Sequence, residues 1–360
     1  MYKLKATAIT ILIILQSAFA PTVSAQTETI EWRIAQTWPK DFPIFGDAVK
    51  TMVEQTKILS NGRFNITIVP SQEHGKPFGI FEMVQDGGDY EMGHSASYYW
   101  SNRDVNMLFF TTLPFGMTTS EQNAWYYNAG GKELMDSAYA PYGLISRPGG
   151  NSGNQMGGWF TKEVKSTEDF KGLKIRIPGI AGDVLASFGA ELKNNIAPSN
   201  FKTALTSGDV EAVEWVGPSL DMALDLHQSA PFYYTGWHEP ASEMQFLINQ
   251  KAFSSLTPEF KVILETAMKI AAYEAYHSMT HANINNLDRI LTDFPDVKIR
   301  AFPPNVMRAL REATVSKIYD YAIEGTDLTR DIVKSIFNYK DKARVWTRIS
   351  DQSYLNNADF

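Results

Sequence analysis

Arg176 closes a short apolar run, Leu173-Lys174-Ile175-Arg176-Ile177, that a Pro178-Gly179 turn stops. Upstream lies a stretch of glycines and amides, Gly149-Gly150-Asn151-Ser152-Gly153-Asn154-Gln155-Met156-Gly157-Gly158-Trp159-Phe160. Glycine lets the backbone approach a ligand closely or take positive φ. Asn and Gln add neutral donors and acceptors. An arginine at the carboxyl end of a strand, facing such a loop, suits a carboxylate, because its fork matches two oxygens at once. The alternative is a solvated arginine beside an ordinary turn, and spacing alone leaves both open.

Two glutamates stand in unusual surroundings. Glu214 sits within Ala212-Val213-Glu214-Trp215-Val216-Gly217-Pro218, which reads as a buried strand over 212–216. A buried carboxylate needs partners or a metal; otherwise Glu214 lies at the strand's end in solvent. Glu239 ends the aromatic stretch Phe232-Tyr233-Tyr234-Thr235-Gly236-Trp237-His238-Glu239-Pro240. Were the two to pair in space, they would form the constellation of a carboxylate-pair lyase or glycosidase. Tyr98-Tyr99-Trp100 follows a strand signal, the position where open α/β sheets bind ligands; core or dimer packing is the competing role.

Other catalytic signatures fail. His277 and His281 are spaced i, i+4, but a zinc protease needs Glu after the first His and Ser278 is there. Gly150-Asn151-Ser152-Gly153 lacks the closing glycine of a nucleophile elbow, since Asn154 holds that position. No P-loop or dinucleotide fingerprint is present, and the chain has no cysteine for thiol chemistry.

The elements that must position these residues alternate. Ile30–Ala35 reads as a strand, and Phe45, Ala48, Val49, Met52 and Val53 recur at helical spacing up to an Asn61-Gly62 stop. A strand over 64–69 and a helix over 78–85 follow. This β-α-β-α order predicts parallel pairing with helices on the sheet faces. Helices are predicted over 121–127, 181–188 and 198–205, and a strand over 246–249. Thr257 and Pro258 open a helix that no glycine or proline interrupts before Pro295. At 1.5 Å per residue it spans ~50 Å, a spine touching both of the two domains expected for 360 residues. The chain beyond Asn305 reads as largely helical, with more apolar positions than packing within one chain needs.

Lys3 and Lys5 precede an apolar run, Ala6–Leu15, too short to span a bilayer. With Val23-Ser24-Ala25 it predicts a signal peptide over 1–25, cut before Gln26. Its removal takes away two lysines and no acid, so the formal charge moves from −7 to −9. Such a diffusely acidic chain is a poor partner for nucleic acid or anionic lipid.

Taken in order, Gln155-Met156-Gly157-Gly158-Trp159-Phe160, Gly172-Leu173-Lys174-Ile175-Arg176, Glu214-Trp215-Val216-Gly217-Pro218, Tyr98-Tyr99-Trp100 and Gly236-Trp237…Glu239 form a specific set. In these motifs the chain resembles the extracytoplasmic solute-binding subunits of tripartite ATP-independent periplasmic (TRAP) transporters, in the branch that binds 2-oxo acids and related monocarboxylates. The resemblance runs from Trp32-Arg33-Ile34-Ala35 through the long helix. It implies a two-lobe α/β periplasmic binding fold with a ligand cleft, a long domain-spanning helix and a helical C-terminal extension. Lobe I is expected over 26–149 and 242–275, lobe II over 150–241 and 276–328, and a dimerisation segment over 329–360. It further implies that Arg176 holds a ligand carboxylate, with Asn151, Gln155, Tyr98 and Tyr99 also lining the site. A Na⁺ or Ca²⁺ ion would be held by the side chains of Gln155, Glu214 and Glu239 and the backbone carbonyl of Trp215. These are hard oxygen donors, suited to such ions rather than to zinc. The implied function is capture of a small carboxylate, such as pyruvate or lactate, in the periplasm and its delivery to a membrane permease, without catalysis and as a homodimer. Relatives in this branch often carry an aromatic residue where this chain has His238.

Overall fold

The computed structural model describes residues 29–358. The expected signal peptide, 1–25, lies outside the described residues. In chain order the strands are β1 (Ile30–Gln36), β2 (Phe64–Val69), β3 (Met92–Ser95), β4 (Leu144–Asn151), β5 (Gly158–Phe160), β6 (Lys174–Arg176), β7 (Glu191–Leu192), β8 (Ala212–Val213), β9 (Phe232–Tyr234), β10 (Glu243–Asn249) and β11 (Lys298–Arg300). They form two sheets, ordered β2-β1-β3-β10-β4 and β11-β9-β5-β8-β6-β7, one in each of two lobes.

The early elements follow their sequence signals. Trp32 and Ile34 of β1 face the core while Glu31 and Arg33 face outward. The helix Phe45–Leu59 buries Phe45, Ala48, Val49 and Met52. Asn61 and Gly62, at φ of 52° and 73°, then turn the chain through the left-handed region into β2.

The expected parallel pairing holds for β1, β2 and β3 but not for the whole of either sheet, since both are mixed. β1 pairs parallel with β2 and β3, but β10 runs antiparallel between β3 and β4. In the second lobe β6 is parallel to β7 and β8, while β5 is antiparallel to β8 and β9. The cause is the path between lobes. β10 enters the first sheet by returning from the second lobe, not through a helical crossover, so nothing holds it to the parallel direction.

The chain leaves the first sheet after β4, returns between β9 and β10, and crosses again between β10 and β11. Backbone bonds lace the first two crossings: Ser152 N–H to Ser242 O at 3.0 Å, Gln155 N–H to Glu239 O at 2.9 Å and Gly157 N–H to Tyr234 O at 2.7 Å. The third crossing contains the expected long helix, Pro258–Asp293, whose first turn Thr257 caps through Phe260 N–H. It packs on the 45–59 helix and β4 in the first lobe and on the 218–223 helix in the second. Asn283 Oδ1 accepts from Ser219 N–H at 3.0 Å there.

Helices Pro304–Glu324, Asp327–Ile349 and Asp351–Ala358 complete the chain. Ile332, Val333 and Ile336 are buried, and Arg344 and Thr347 bind the carboxylate of Glu121 in the first lobe. No helix among the described residues is long and apolar enough to cross a membrane.

Candidate binding site

The site is built where the crossings meet the end of the second sheet. β6 ends at Arg176, which pairs with Val213 of β8, and Glu214 N–H donates to Arg176 O at 2.9 Å. β8 stops at Val213, short of the expected Val216. The reason is Asp221, whose Oδ1 accepts from Val216 N–H at 3.1 Å and Gly217 N–H at 3.0 Å and draws the chain out of the ladder. Glu214 is left just past the strand end yet is only 1% exposed, so the solvated alternative does not hold. Gly158, at φ 104°, lies against this turn; a Cβ there would fall 2.9 Å from Val213 O.

The crossings bring the other groups. Gln155 lies on the first, His238 and Glu239 on the second, and all three are buried. Gly236 makes the approach possible, since a Cβ there would sit 1.8 Å from Gln155 O. Glu214, His238 and Glu239 each place one potential ligand atom within 4.8 Å of the others. Arg176 Nη1 donates to Glu214 O at 2.9 Å and stands 3.6 Å from Glu214 Oε2. Its guanidinium also lies over the rings of Phe201 and Trp215, at 5.0 and 5.3 Å.

Several buried polar atoms here find no partner within the protein: Gln155 Oε1, Glu214 Oε1, Glu239 Oε2, both ring nitrogens of His238 and Arg176 Nε. Buried polar groups are nearly always paired, so such a concentration calls for a ligand. Gln155 Nε2 is spent on Ser152 Oγ at 3.0 Å. Burial pushes the Glu214 carboxyl well above its usual range, with Arg176 opposing and Asp221 adding to the rise. Burial, followed by the neighbouring Glu214, raises Glu239 to about 7. Burial lowers His238 to about 4. One guanidinium does not balance two desolvated carboxylates, and a cation would. Two carboxylate oxygens and an amide oxygen fit a hard ion.

A cleft of about 510 Å³ opens between the lobes and reaches this group at Arg176 and Trp215, with Trp38, Phe78 and Tyr99 also in its wall. Tyr98 and Tyr99 are half-buried and meet edge to face at 4.8 Å. Tyr98 borders a much smaller space beside His238 and Glu239. Among the residues expected in the site, the structure thus gathers Arg176, Gln155, Glu214, Trp215 and Glu239, with Tyr98 and Tyr99 at its edge. Asn151 is the exception. Its Oδ1 accepts from Thr119 Oγ1 at 3.0 Å and Gly153 N–H at 2.9 Å, while its Nδ2 donates to Gln122 Oε1 at 2.9 Å and Glu243 Oε2 at 3.0 Å. With its amide saturated there, Asn151 holds the loop before Gln155 rather than facing ligand.

Sequence reasoning missed Asp221 as the organiser of the Glu214 turn, and gave His238 no place among the polar groups. Adjacency to Glu239 was the available signal for His238; for Asp221 it was an acidic side chain just after Gly217-Pro218, within reach of the Val216 and Gly217 N–H groups, while its other partners, Trp159 and Tyr233, are more distant in sequence. His277 and His281 are exposed on the long helix.

Comparison with known proteins agrees with this geometry. Residues 34–324 match the model of the DctP family, described as bacterial extracellular solute-binding protein, family 7. A monocarboxylate 2-oxoacid-binding periplasmic protein of Nostoc sp. is 32% identical over 355 residues, covering 98% of this chain and 96% of that protein. A TRAP periplasmic solute-binding protein of Colwellia psychrerythraea, solved with calcium and pyruvate, is 50% identical with a TM-score of 0.90, covering 92% of this chain and all of that one. Its counterpart from Pseudoalteromonas atlantica, with sodium and pyruvate, is also 50% identical, with a TM-score of 0.89 and coverage of 92% and 99%. A Bordetella bronchiseptica TRAP solute-binding protein is 28% identical, with a TM-score of 0.87 and coverage of 92% and 97%; it is described as a mixed-occupancy dimer with calcium and picolinate. The carboxylate-pair enzyme alternative falls away, and the chain belongs to the DctP family of solute-binding proteins, the capture subunits of TRAP transporters.

Proposed function

We propose that this protein captures a small 2-oxo or 2-hydroxy monocarboxylate together with Na⁺ or Ca²⁺ and hands it to a TRAP permease. The observation that carries this is buried Arg176 lying 3.6 Å from Glu214 Oε2, with Glu239 in the same cluster, Gln155 bonded through its backbone to Glu239, and side-chain oxygens of Glu214, Glu239 and Gln155 left unpartnered. Arg176 receives the carboxylate through its free donors, held in place by Glu214 O and by the Phe201 and Trp215 rings. Gln155, Glu214, Glu239 and the carbonyl of Trp215 hold the cation. When bound, that ion cancels the excess negative charge and offers the ligand's carboxylate and 2-oxo oxygens a shared partner. Tyr98 and Tyr99 close over the ligand from the first lobe. Because Gln155 and Glu239 lie on the crossings themselves, gathering them around one ligand biases the lobes toward closure. The division into lobe I over 26–149 and 242–275 and lobe II over 150–241 and 276–328 is read in that sense. Pyruvate in two relatives, at 50% identity, supports a ligand of that size.

The same reading places the mature chain in the periplasm after loss of residues 1–25, and makes it a homodimer through 329–360. Val345, Trp346, Ile349, Tyr354 and Leu355 are all more than 60% exposed there, a patch a monomer would not keep open. Light scattering at micromolar concentration tests the dimer, and a purely monomeric full-length protein refutes it. Calorimetry of pyruvate binding to the wild type and to Arg176→Ala tests the capture role. Loss of binding in the variant is expected; unchanged affinity removes Arg176 from the site.

A further inference from the structure

The cation site contains a nitrogen that the oxygen set above does not use. His238 is 0% exposed, and neither of its ring nitrogens has a hydrogen-bond partner. Its Nε2 lies 3.2 Å from Glu214 Oε1, yet both atoms remain unpartnered, so they face each other without the alignment of a hydrogen bond. Two ligand atoms at right angles on one ion, with bonds of about 2.2 Å, stand roughly 3.1 Å apart. Two acceptors at that separation are at ease when a positive charge lies between their lone pairs. The next residue, Glu239, brings a third atom inside the same 4.8 Å span, and Gln155 Oε1, on the neighbouring crossing, is likewise unpartnered.

We propose that His238 Nε2 is a direct ligand of the bound cation, which makes the site a mixed nitrogen–oxygen one that also accepts divalent transition ions, beginning with Mn²⁺. The inference rests on the cation site proposed above and concerns which ions that site selects. Na⁺ and Ca²⁺ gain little from imidazole, being served by hard oxygens, whereas the affinity of a nitrogen–oxygen site for first-row divalent ions climbs from Mn²⁺, which also tolerates an oxygen-rich set, toward Cu²⁺. The position before Glu239 thereby becomes a determinant of ion choice, and a phenyl ring there leaves an all-oxygen site.

The test uses the purified full chain carrying His281→Gln throughout, so that the exposed His277–His281 pair cannot bind metal. After chelator treatment, Na⁺, Ca²⁺ and Mn²⁺ are titrated by calorimetry into this protein and into its His238→Phe derivative. Pulsed EPR of bound Mn²⁺ is recorded in parallel and does not depend on how well the derivative folds. The proposal expects a directly coupled imidazole nitrogen in the EPR of the His238-containing protein. It also expects His238→Phe to weaken Mn²⁺ by roughly tenfold or more while Ca²⁺ changes by less than about threefold. Mn²⁺ bound without nitrogen coupling, or Mn²⁺ and Ca²⁺ weakened alike, overturns the role of His238 and leaves the oxygen site standing. Failure of all three ions to bind the His238-containing protein overturns the cation site itself.

Discussion

Two buried acidic groups of the second lobe, a few residues apart in sequence, live in opposite circumstances. Asp221 is saturated: Oδ1 accepts from Val216 and Gly217 N–H, and Oδ2 from Trp159 Nε1 at 3.0 Å and Tyr233 Oη at 2.8 Å. Glu214 stands beside unpartnered atoms of Gln155, His238, Glu239 and Arg176. Both are 1% exposed, so burial does not separate them. Satisfaction does. A closed network specifies the fold, whereas an open one leaves a desolvation cost that only a ligand removes. The saturated network shapes the turn that presents Glu214, so one cluster builds the other.

The contrast breaks first at Asp221. Asp221→Ala strands four buried donors and is expected to destabilise the fold by about 2–4 kcal/mol, measured by denaturant unfolding. A loss below about 1 kcal/mol would erase the distinction between the clusters. Arg176→Ala works the other way. It costs carboxylate affinity at least about tenfold, because a charge-assisted bond is worth roughly 1.5–3 kcal/mol, and Arg176→Lys restores only part of it, since an ammonium lacks the fork. Glu239→Gln sharpens the comparison further. It lowers cation affinity and carries ligand affinity down with it, while the stability of the cation-free protein stays level or rises, because a desolvated charge is gone.

The smallest effect is on pH. Burial raises Glu239 to about 7 and Asp221 to about 6, and Glu214 moves in the same direction. A carboxyl raised on folding contributes stability that is fully present below its unfolded value, near 4.5 for Glu239, and lost as pH rises through about 7. The buried His94 and His238, lowered to about 4, work the other way and add stability as pH rises through their unfolded value near 6.5, so chelated, ligand-free protein should melt lower at pH 8 than at pH 7, above that window. Added cation should offset most of that drop and bind more weakly as pH falls, because protons compete for Glu239. A melting temperature that rises between pH 7 and pH 8 in chelated protein would contradict this assignment.

How much of this was visible in the sequence depended on range. The Phe45–Leu59 helix with its Asn61-Gly62 stop, the long helix opened by Thr257-Pro258, and Arg176 before Pro178-Gly179 are local signals, and the structure places each accordingly. The antiparallel β10 could not be read, because its strand signal is the same in either direction and only the return from the second lobe sets it. Asn151 was expected to line the ligand site from the family resemblance. Its amide is consumed by Thr119, Gln122 and Glu243, partners brought together only by the fold. A lone His238 carried no spacing, and its meeting with Glu214 depends on the second crossing running past the end of β8.

The proposed dependence of the anionic ligand on a cation rests on Glu214 and Glu239. Without a cation, two desolvated carboxylates and the ligand face a single guanidinium. By linkage, whatever the cation adds to ligand affinity the ligand adds to cation affinity. The direct measurement is titration of pyruvate into chelator-treated protein in sodium-free buffer, repeated with Na⁺ and then with Ca²⁺. Weak or undetectable binding in the first case, with a marked gain in at least one of the other two, is the predicted result. Equal affinity in all three would show that no such site exists and would strip both glutamates of their role.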